Sequence, residues 1–375
     1  MIKNPYPQDA DYLQSLGNEA PIPLQIEAPK TDEEIKKEWS DFIVANMPGK
    51  GLMKDWLDHI TQNRSKPVST GFPGLDRFLG GGLRPGLYYI GGNPGSGKTT
   101  LIQNLLLHIS SERPTIFFSL EMNRYSIMSR FVSACSFLDD DGRIRSFDSG
   151  IHCSEFNTGI GGKNNDFLSK LNFARRRFEN KAKSLIILDH DSIAKFAGMP
   201  DKYITMGAIR QIIEAVKDHF GIAPIVAVDY LQIIPENYTE HKELRDLIIT
   251  NCRIFQALRN EHDLTLLILY QYSRSGMQAR PELTSGAESS EIEKSAEMVL
   301  ALFDPSKTKP TVKPGRPTKE EQQEKIRQEK EKQDQKFKPD DFIPIEIHKL
   351  KARDCPNLDP ILLMRHYPLK SLFAE

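Results

Sequence analysis

An eight-residue segment, Gly92–Thr99, restricts the folds open to this chain more than any other feature. Its sequence, GNPGSGKT, matches the phosphate-binding pattern G-x-x-x-x-G-K-S/T at every specified position. The β-branched and aromatic run Leu87–Ile90 precedes it, and Thr100–Ile109, which has an apolar stripe at helical spacing, follows it. A strand, a glycine-rich turn and a helix in this order direct backbone N–H groups and the positive end of the helix toward a phosphate. The segment therefore predicts an α/β fold that binds a nucleotide.

Each part of this phosphate-binding loop has an expected role. Lys98 is expected to reach the β- and γ-phosphates of a nucleoside triphosphate, and the Thr99 hydroxyl is expected to bind Mg²⁺. The flanking strand and helix disfavour the alternative of a glycine-rich turn that contains a lysine by chance. The predicted nucleotide-binding residues are Gly92, Asn93, Pro94, Gly95, Ser96, Gly97, Lys98, Thr99 and Thr100.

Four further apolar runs predict strands, at Thr115–Ser119, Leu185–Asp189, Ile225–Asp229 and Leu264–Tyr270. Helical patterns lie between them, for example at Met206–Phe220 and Lys242–Asn260. This alternation predicts a mainly parallel, twisted sheet with helices on both faces, the architecture of a P-loop nucleoside triphosphatase. Ligands of such sheets bind at the carboxyl ends of the strands.

The segment before the α/β pattern is predicted to be short and helical. Residues 1–30 are rich in Pro, Gln and Asp and are expected to be weakly ordered. Residues 31–66 are expected to form a helical linker segment, which opens with a capping box at Thr31–Glu34 and includes a second short helix at about 52–62. Apolar residues recur at helical spacing on the first helix, at Ile35, Trp39, Phe42 and Ile43. This face packs either on its own domain or on a neighbouring subunit, and the sequence leaves both alternatives open.

The predicted ATPase core spans residues 67–305. Residues 306–341 then interrupt it with a proline-rich basic stretch and a run of Lys, Glu and Gln that cannot build an apolar core. We interpret them as a charged, mobile insertion. Residues 342–375 contain apolar runs at 342–350 and 361–364, which predict strands that complete the core.

Composition excludes several classes of protein. The formal net charge is −1, so any affinity for nucleic acid must come from local basic patches. The four cysteines form no C-x-x-C pair, which disfavours a zinc ribbon or a disulfide framework. The sequence has no apolar run of membrane-spanning length and its N-terminus has no apolar signal core. We therefore expect a cytoplasmic protein with no membrane partner.

Polar residues at the predicted strand ends are candidates for hydrolytic chemistry. Asp229 and Asp189 both end buried strands, and either could support Mg²⁺ while the other caps the next helix. Glu121 follows the strand Thr115–Ser119 and could activate water, although a glutamate in this position often caps a helix. Gln271 follows the last of the four strands, where an amide could sense the γ-phosphate.

Basic residues near two late strands are candidates for contacts with anionic partners. Arg274 and Arg280 lie in a loop beyond Gln271, and they are the predicted DNA-binding residues. Lys349, Lys351 and Arg353 follow one another around the end of the strand predicted at 342–350.

In order along the chain, these motifs resemble those of the RecA-like ATPase domain of DnaB-type replicative helicases. Ser119–Met122 is similar to the S-L-E-M motif of that family, and Asp229–Gln232 is similar to its D-Y-L-Q motif. Gln271–Arg274 is similar to the Q-x-N/S-R motif, and Ser290–Glu297 resembles the G-S-I-E-Q-D-A-D segment with changes. Lys351–Asp354 resembles the K-x-R-N motif.

The resemblance covers about residues 69–305 and 342–368, and it implies roles for individual residues. It implies that ATP with Mg²⁺ is the cofactor, that Glu121 activates the hydrolytic water, and that Asp229 is the carboxylate that supports Mg²⁺. It implies that Gln271 couples the state of the γ-phosphate to the loop that follows. Lys351 and Arg353 are then expected to reach the ATP site of a neighbouring subunit, where such a contact accelerates hydrolysis in other nucleoside triphosphatases.

The same resemblance implies partners. The loop at about 274–290 is expected to line a central channel and to bind single-stranded DNA through Arg274 and Arg280. Cations that act on a neighbour's ATP imply a homo-oligomer, expected to be a hexameric ring with ATP at each interface. A primase or a loader protein is a further expected partner.

The chain also departs from the family pattern. Only residues 1–66 precede the motor-like region, where DnaB-type helicases have a helical N-terminal domain, and the charged insertion is unusual in the family. Cys355 replaces the glycine after the K-x-R-N motif, and Lys349 offers an alternative register for the cation that acts on the neighbour. The segment Gly80–Leu83 and the phosphate-binding loop are also similar to those of RadA and related ATPases.

Three functions follow as hypotheses. The first is a ring-forming, ATP-dependent DNA helicase motor of the DnaB type, which moves along single-stranded DNA. The second is a DNA-stimulated ATPase similar to RecA or RadA, which acts in replication, recombination or defence without unwinding. The third is a scaffold whose assembly is gated by ATP.

Overall fold

The computed structural model describes the chain in segments: residues 31–47, 52–54, 57–58, 66–138, 150–158, 164–197, 205–231, 234, 244–272, 281, 289–305, 342–353, 359–366 and 373–374. The weakly ordered N-terminus and the charged insertion expected from the sequence lie outside these residues, as do Arg274 and Arg280. Of the second short helix, expected at about 52–62, only five residues are described. The chain divides into two compact units between Arg64 and Ser65.

The first unit contains helix α1, Asp32–Ala45, which begins at the predicted capping box. Thr31 Oγ1 accepts a hydrogen bond from the Glu34 backbone N–H at 3.3 Å, and the Glu34 carboxylate accepts one from the Thr31 backbone N–H at 2.7 Å. This reciprocal pair satisfies two N–H groups that the first turn of a helix leaves without a partner. The side chains of Trp39 and Phe42, two of the apolar residues at helical spacing, are 62% and 60% exposed.

The second unit is built on a sheet with nine strands among the described residues. The strands are β1 Gly86–Gly92, β2 Thr115–Ser119, β3 Leu185–Leu188, β4 Ile225–Asp229, β5 Thr265–Gln271, β6 Met298–Phe303, β7 Phe342–Ala352, β8 Ile361–His366 and β9 Phe373–Ala374. Their order in the sheet is β3-β2-β4-β5-β1-β6-β7-β8-β9. Strands β1 to β6 pair in parallel, and β7, β8 and β9 add antiparallel pairs to one edge.

Helices cover both faces of this sheet, as the sequence predicts. The helices between Lys98 and Lys181 pack with one apolar cluster, and those between His190 and Ser295 pack with a second cluster on the opposite face. Because the central strands contribute side chains alternately to the two clusters, they are buried along their whole length. The helices are α2 Pro73–Phe78, α3 Lys98–Ile109, α4 Arg124–Ser136, α5 Asn165–Lys181, α6 His190–Ala197, α7 Met206–Phe220, α8 Leu244–His262 and α9 Ser289–Ser295, and a 3-10 helix spans Cys153–Thr158.

The sheet order brings together the polar strand ends that the sequence singles out. Strands β2, β4, β5 and β1 are consecutive neighbours, and their carboxyl ends lie at one edge. Ser119 pairs with Asp229 across β2 and β4, and Gly92 pairs with Gln271 across β1 and β5. This edge, which we call the carboxyl edge, is where the candidate site forms. In the described part of the chain, no helix is both long enough and apolar enough to cross a membrane.

Candidate functional site

The phosphate-binding loop joins β1 to α3 and has the conformation that the sequence pattern requires. Gly97 directly precedes α3 with φ at 100°, a left-handed conformation that side chains with a Cβ atom rarely adopt. The Lys98 ammonium donates hydrogen bonds to the carbonyl oxygens of Gly92 and Asn93, at 2.8 and 3.2 Å. These contacts keep the lysine folded over its own loop, where a phosphate would offer it a stronger, charged acceptor.

Thr99 and Asp229 form the central contact of the site. The Thr99 hydroxyl donates a hydrogen bond to Asp229 Oδ2 at 2.6 Å, and this contact joins residues that are 130 positions apart. Asp189, the alternative in the sequence, instead accepts hydrogen bonds from the backbone N–H groups of Ser192 at 2.9 Å and Arg124 at 2.8 Å. The structure therefore places Asp229 beside the phosphate-binding loop and uses Asp189 at the N-termini of α6 and α4.

The oxygens of Thr99 and Asp229 suit Mg²⁺ bound together with a nucleotide. Mg²⁺ prefers hard oxygen ligands, and it commonly takes one or two from the protein and the others from phosphates and water. Among the described residues no group of three or more His, Cys, Asp and Glu side chains could hold a metal ion alone. The buried Ser96 hydroxyl in the loop also has no hydrogen-bond partner in the described part of the chain, which is consistent with a loop shaped for a polar ligand.

The electrostatic environment of Asp229 disfavours its charge in the absence of a cation. Burial raises the pKa of the Asp229 carboxyl, the Thr99 hydrogen bond lowers it, and the nearby Glu121 carboxylate raises it again, with a raised pKa as the net result. Positive charge at Lys98 and Arg130 opposes this shift. A divalent cation beside Thr99 and Asp229 would offset the unfavourable charge.

Glu121 lies just beyond β2 and its side chain is exposed. The Leu120 backbone N–H donates to the Asp229 carbonyl at 2.8 Å, so the Glu121 segment is tied to the end of β4. The N-terminus of α4 is capped by Asn123, whose Oδ1 accepts from the Ser126 backbone N–H at 2.8 Å. Because Asn123 fills the capping position, the helix-cap alternative does not describe Glu121.

Gln271 is the last residue of β5 and pairs directly with Gly92, the first residue of the phosphate-binding loop. The chain continues from Gln271 through Tyr272 into the segment predicted to bind DNA. Arg274 and Arg280 lie in that segment, outside the described residues. The described geometry thus contains the nucleotide end of the predicted coupling path but not its DNA end.

Lys351 and Arg353 lie at the opposite, amino edge of the parallel strands. Lys351 donates to the carbonyl of Glu293 at the end of α9, and burial together with the Arg353 charge lowers its pKa. The Arg353 guanidinium donates to the Lys294 carbonyl at 2.6 Å and lies 3.7 Å from the Glu297 carboxylate. Lys349 contacts Phe78, through both its carbonyl and the face of its ring. None of these contacts involves the phosphate-binding loop of the same chain.

Arg365 belongs to none of the sequence motifs described above, yet it contacts the phosphate-binding loop. Arg365 lies on β8 with only 7% of its surface exposed, and its Nη1 donates to the Gly95 carbonyl at 2.7 Å. The sequence contained one signal: Arg365 follows the buried Leu363 at the spacing that returns to the same face of a strand. A charged residue at such a core-facing position is uncommon unless it has a partner.

Comparison with known proteins relates this site to a family. The family model described as "DnaB-like helicase C terminal domain" matches residues 67–338. The replicative DNA helicase DnaB of Helicobacter pylori strain J99 is 27% identical over 264 residues, which cover 68% of this chain and 48% of the relative. The Pasteurella multocida DnaB is 27% identical over 242 residues, which cover 63% of this chain and 46% of the relative. The chain thus spans about half the length of the relatives it matches.

Solved structures show the same fold. The structure of an isolated ATPase domain superposes with a TM-score of 0.61 at 19% identity and covers 88% of this chain and 98% of its own. A DnaB-like replicative helicase, solved in a study of its interactions with primase, gives the same score and identity and covers 91% of this chain and 71% of its own. These matches confirm the RecA-like fold predicted from the sequence. Because the family model matches well over half of its length, this chain belongs to the family of DnaB-like helicase C-terminal domains.

Proposed function

We propose that this chain is an ATP-dependent DNA helicase motor, which couples hydrolysis of Mg-ATP at subunit interfaces to movement along single-stranded DNA. The observation that carries the proposal is the contact of Thr99 with Asp229 at 2.6 Å, beside a phosphate-binding loop. Glu121, just beyond β2, and Gln271, the last residue of β5, lie at the same edge on either side of β4. The family match supports a helicase rather than another use of ATP.

Binding of the nucleotide begins at the phosphate-binding loop. Backbone N–H groups of the loop hold the phosphates, and Lys98 exchanges its carbonyl partners for the β- and γ-phosphate oxygens. The Thr99 hydroxyl and the Asp229 carboxylate hold the metal site beside those oxygens. Mg²⁺ bound there would neutralise negative charge that develops on the phosphates during transfer.

Hydrolysis then requires a positioned water. Glu121, which is exposed next to Asp229, accepts a proton from the water whose oxygen attacks the γ-phosphorus. The bond between the γ-phosphorus and the β–γ bridging oxygen breaks, and ADP and inorganic phosphate are the products. Gln271, which pairs with Gly92, is proposed to sense loss of the γ-phosphate and to move the loop that follows β5.

The cations at the amino edge complete the site of another chain. The Glu297 backbone N–H donates a hydrogen bond to the Leu87 carbonyl, near the start of β1. Leu87 lies five residues before Gly92 on this strand, a distance of about 16 Å along it. Arg353, which is held at Glu297, is therefore directed away from the phosphates of its own chain. We propose that Arg353 and Lys351 contact ATP bound to a neighbour in a homo-oligomeric, hexameric ring. A contact with a primase or a loader protein is a further proposal.

A forked duplex tests the proposed function. We expect strand displacement in the presence of ATP and Mg²⁺, and we expect Lys98→Ala and Glu121→Gln each to abolish it while the proteins remain folded. Unwinding that survives either change would overturn the mechanism. Hydrolysis that single-stranded DNA stimulates without displacement would instead support the accessory ATPase, and assembly that depends on ATP with no effect of DNA on hydrolysis would support the scaffold.

The DNA contact has a separate test. Arg274 and Arg280 are proposed to neutralise phosphates of single-stranded DNA, and each such contact adds about 0.7 to the slope of log affinity against log salt concentration. We expect the double change to Gln to reduce the slope by about 1.4. Arg175→Gln with Arg176→Gln, on the solvent-exposed face of α5, is the matched control. An unchanged slope in the Arg274 and Arg280 variant would remove this loop from the DNA site.

A further inference from the structure

We propose that Arg365 is a positioning residue for the phosphate-binding loop, which it holds from the antiparallel edge of the sheet through the Gly95 carbonyl. The inference rests on the proposed nucleotide site and adds a residue to it that none of the motifs described above contains. It begins from the hydrogen bond of 2.7 Å between Arg365 Nη1 and Gly95 O, two residues 270 positions apart.

The position of Arg365 makes this contact more than a surface interaction. Arg365 pairs with Ile343 of β7 and lies on the face of β8 that also carries Leu363, which is buried in the core. An arginine that is only 7% exposed loses most of its hydration, and this loss is unfavourable unless the guanidinium finds hydrogen-bond acceptors. The Gly95 carbonyl supplies such an acceptor, and the bond to a charged donor is stronger than one between neutral groups.

The contact falls at the tip of the loop, where a hold has the largest effect on its shape. Asn93 to Ser96 form a turn closed by a hydrogen bond of 3.1 Å from the Ser96 backbone N–H to the Asn93 carbonyl. Gly95 lies inside this turn and is exposed, so its main chain has little packing to restrain it. Lys98 holds the start of the loop at Gly92 and Asn93. Arg365 holds the tip.

Nucleotide binding is expected to affect the Lys98 and Arg365 contacts differently. Lys98 must leave its carbonyl partners to reach a phosphate, and the start of the loop is then restrained by the ligand. Arg365 reaches the Gly95 carbonyl from β8, whereas the backbone N–H groups of the loop cradle the phosphates, so in this proposal the contact persists in the bound state. A loop that is already ordered loses less conformational entropy when the phosphates bind. Arg365 thus acts through the loop, and it strengthens binding of the α- and β-phosphates that the loop cradles.

The test compares Arg365→Gln and Arg365→Lys with the unchanged chain in equilibrium binding of ADP and of a non-hydrolysable ATP analogue. Because the bond is present before and after binding, its loss changes affinity only through the order it gives the loop tip, and ordering one residue's backbone corresponds to about tenfold in affinity. We expect Arg365→Gln to weaken ADP and the ATP analogue by the same factor, about tenfold or more. Arg365→Lys, which retains the charge and one donor, should restore part of this loss. In steady-state hydrolysis KM should rise while kcat at saturating ATP changes little.

Arg113 provides a matched control. Its Nε donates to the Ala223 carbonyl at 3.0 Å, a bond of the same chemical kind at the amino edge of the sheet. Arg113→Gln should lower the unfolding temperature as Arg365→Gln does, but it should leave nucleotide affinity unchanged. If both variants weaken nucleotide binding equally, the effect is one of global stability and the inference is wrong.

The outcomes separate this inference from the proposed function. Unchanged affinity of Arg365→Gln for both nucleotides would overturn the positioning role. Weakened binding of the ATP analogue alone would also overturn it, because that result would indicate a direct contact with the γ-phosphate. If Arg365→Gln does not fold, Arg365→Lys is the variant to measure. We expect it to bind both nucleotides more weakly than the unchanged chain, and equal affinity would contradict the inference. An unchanged chain that binds neither nucleotide would overturn the proposed function itself.

Discussion

At the scale of single residues, two aspartates at strand ends have opposite electrostatic surroundings. Burial raises the pKa of Asp229, so its charged form is disfavoured in the nucleotide-free fold. Asp189 is also desolvated, but the backbone N–H groups of Arg124 and Ser192 stabilise its charge and lower its pKa. The charged Asp189 carboxylate therefore stabilises the fold, whereas the charge on Asp229 lowers the stability of the nucleotide-free fold. Such a conflict is typical of functional residues.

We predict that Asp229→Asn raises the unfolding temperature at neutral pH and lowers ATP hydrolysis by about a hundredfold or more, because a ligand of the proposed metal site is lost. A raised pKa in the folded state favours folding below the unfolded-state pKa, and this contribution is lost as pH rises through the folded-state value. The stabilisation by Asn should therefore be largest near neutral pH and should shrink as the pH falls. Thermal denaturation across the acidic range measures this trend.

Asp189→Asn is the control of opposite sign. A lowered pKa contributes stability above the unfolded-state pKa, and that contribution is lost as the pH falls through the folded-state value. Asp189→Asn should thus destabilise the protein at neutral pH. An Asp229→Asn variant that unfolds at a lower temperature than the unchanged chain at neutral pH would contradict the electrostatic account of Asp229.

Gly91 is a position where neighbouring aromatic rings leave no room for a Cβ atom. A Cβ atom at Gly91 would lie 2.4 Å from Tyr270 Cζ and 2.6 Å from Tyr272 Cε1, and both rings are buried between strands and helices. We predict that Gly91→Ala lowers the free energy of unfolding by about 1–3 kcal/mol, the usual effect of overpacking. Chemical denaturation measures it. Gly207→Ala, whose Cβ would meet only Thr205 Oγ1 at 3.8 Å, should be neutral or stabilising; equal effects would refute the packing argument.

The residues that could be predicted from the sequence are those whose role is set by local pattern. Lys98 and Thr99 follow from a loop of eight residues with a strand and a helix on either side. The choice between Asp229 and Asp189 depended on a family resemblance, since both end similar apolar strands. Arg365 could not be assigned, because its partner Gly95 is set by the pairing of β7 with β8 and not by any nearby residue.

At the scale of elements, capping residues made boundaries predictable. Helix α7 spans Met206–Phe220 as predicted, because Thr205 caps its start and Gly221 ends it with φ at 67°. Strand β2 also has its predicted bounds, whereas β7 extends to Ala352, beyond the apolar run that ends at Leu350. The extension comes from pairing with β6 across a bulge near Leu300, which is a tertiary effect.

Helix α1 carries a prediction of its own, since Trp39 and Phe42 on this helix are exposed. We expect Trp39→Ser with Phe42→Ser to reduce assembly in the presence of ATP, because burial of a large aromatic side chain on a second copy contributes up to about 3 kcal/mol. Sedimentation or particle imaging at matched concentrations measures the loss. Lys37→Ser, an exposed change on the same helix, should assemble normally. Unchanged assembly with a lower unfolding temperature would place this face on its own domain.

At the scale of the whole molecule, one antiparallel hairpin spans the distance between two kinds of site. Strand β7 begins near the phosphate-binding loop, where its partner β8 carries Arg365, and it ends at the amino edge with Lys351, just before Arg353. The hairpin therefore links the nucleotide of its own chain to the surface proposed to face the next. The sequence predicted both strands, but only the order β1-β6-β7-β8 shows that they connect the two edges.

This arrangement predicts complementation between two inactive variants. Lys98→Ala lacks a working loop but retains Arg353, whereas Arg353→Ala retains the loop but lacks the cation that a neighbour needs. In an equimolar ring assembled at random, about a quarter of the interfaces would combine an intact loop with an intact Arg353, so ATP hydrolysis should exceed that of either variant alone. Hydrolysis measured across mixing ratios should peak between the two pure samples. Mixing Arg353→Ala with a chain that carries both changes should restore nothing. Mixed rings without regained hydrolysis, or an Arg353→Ala variant that is fully active alone, would show that each chain completes its own site.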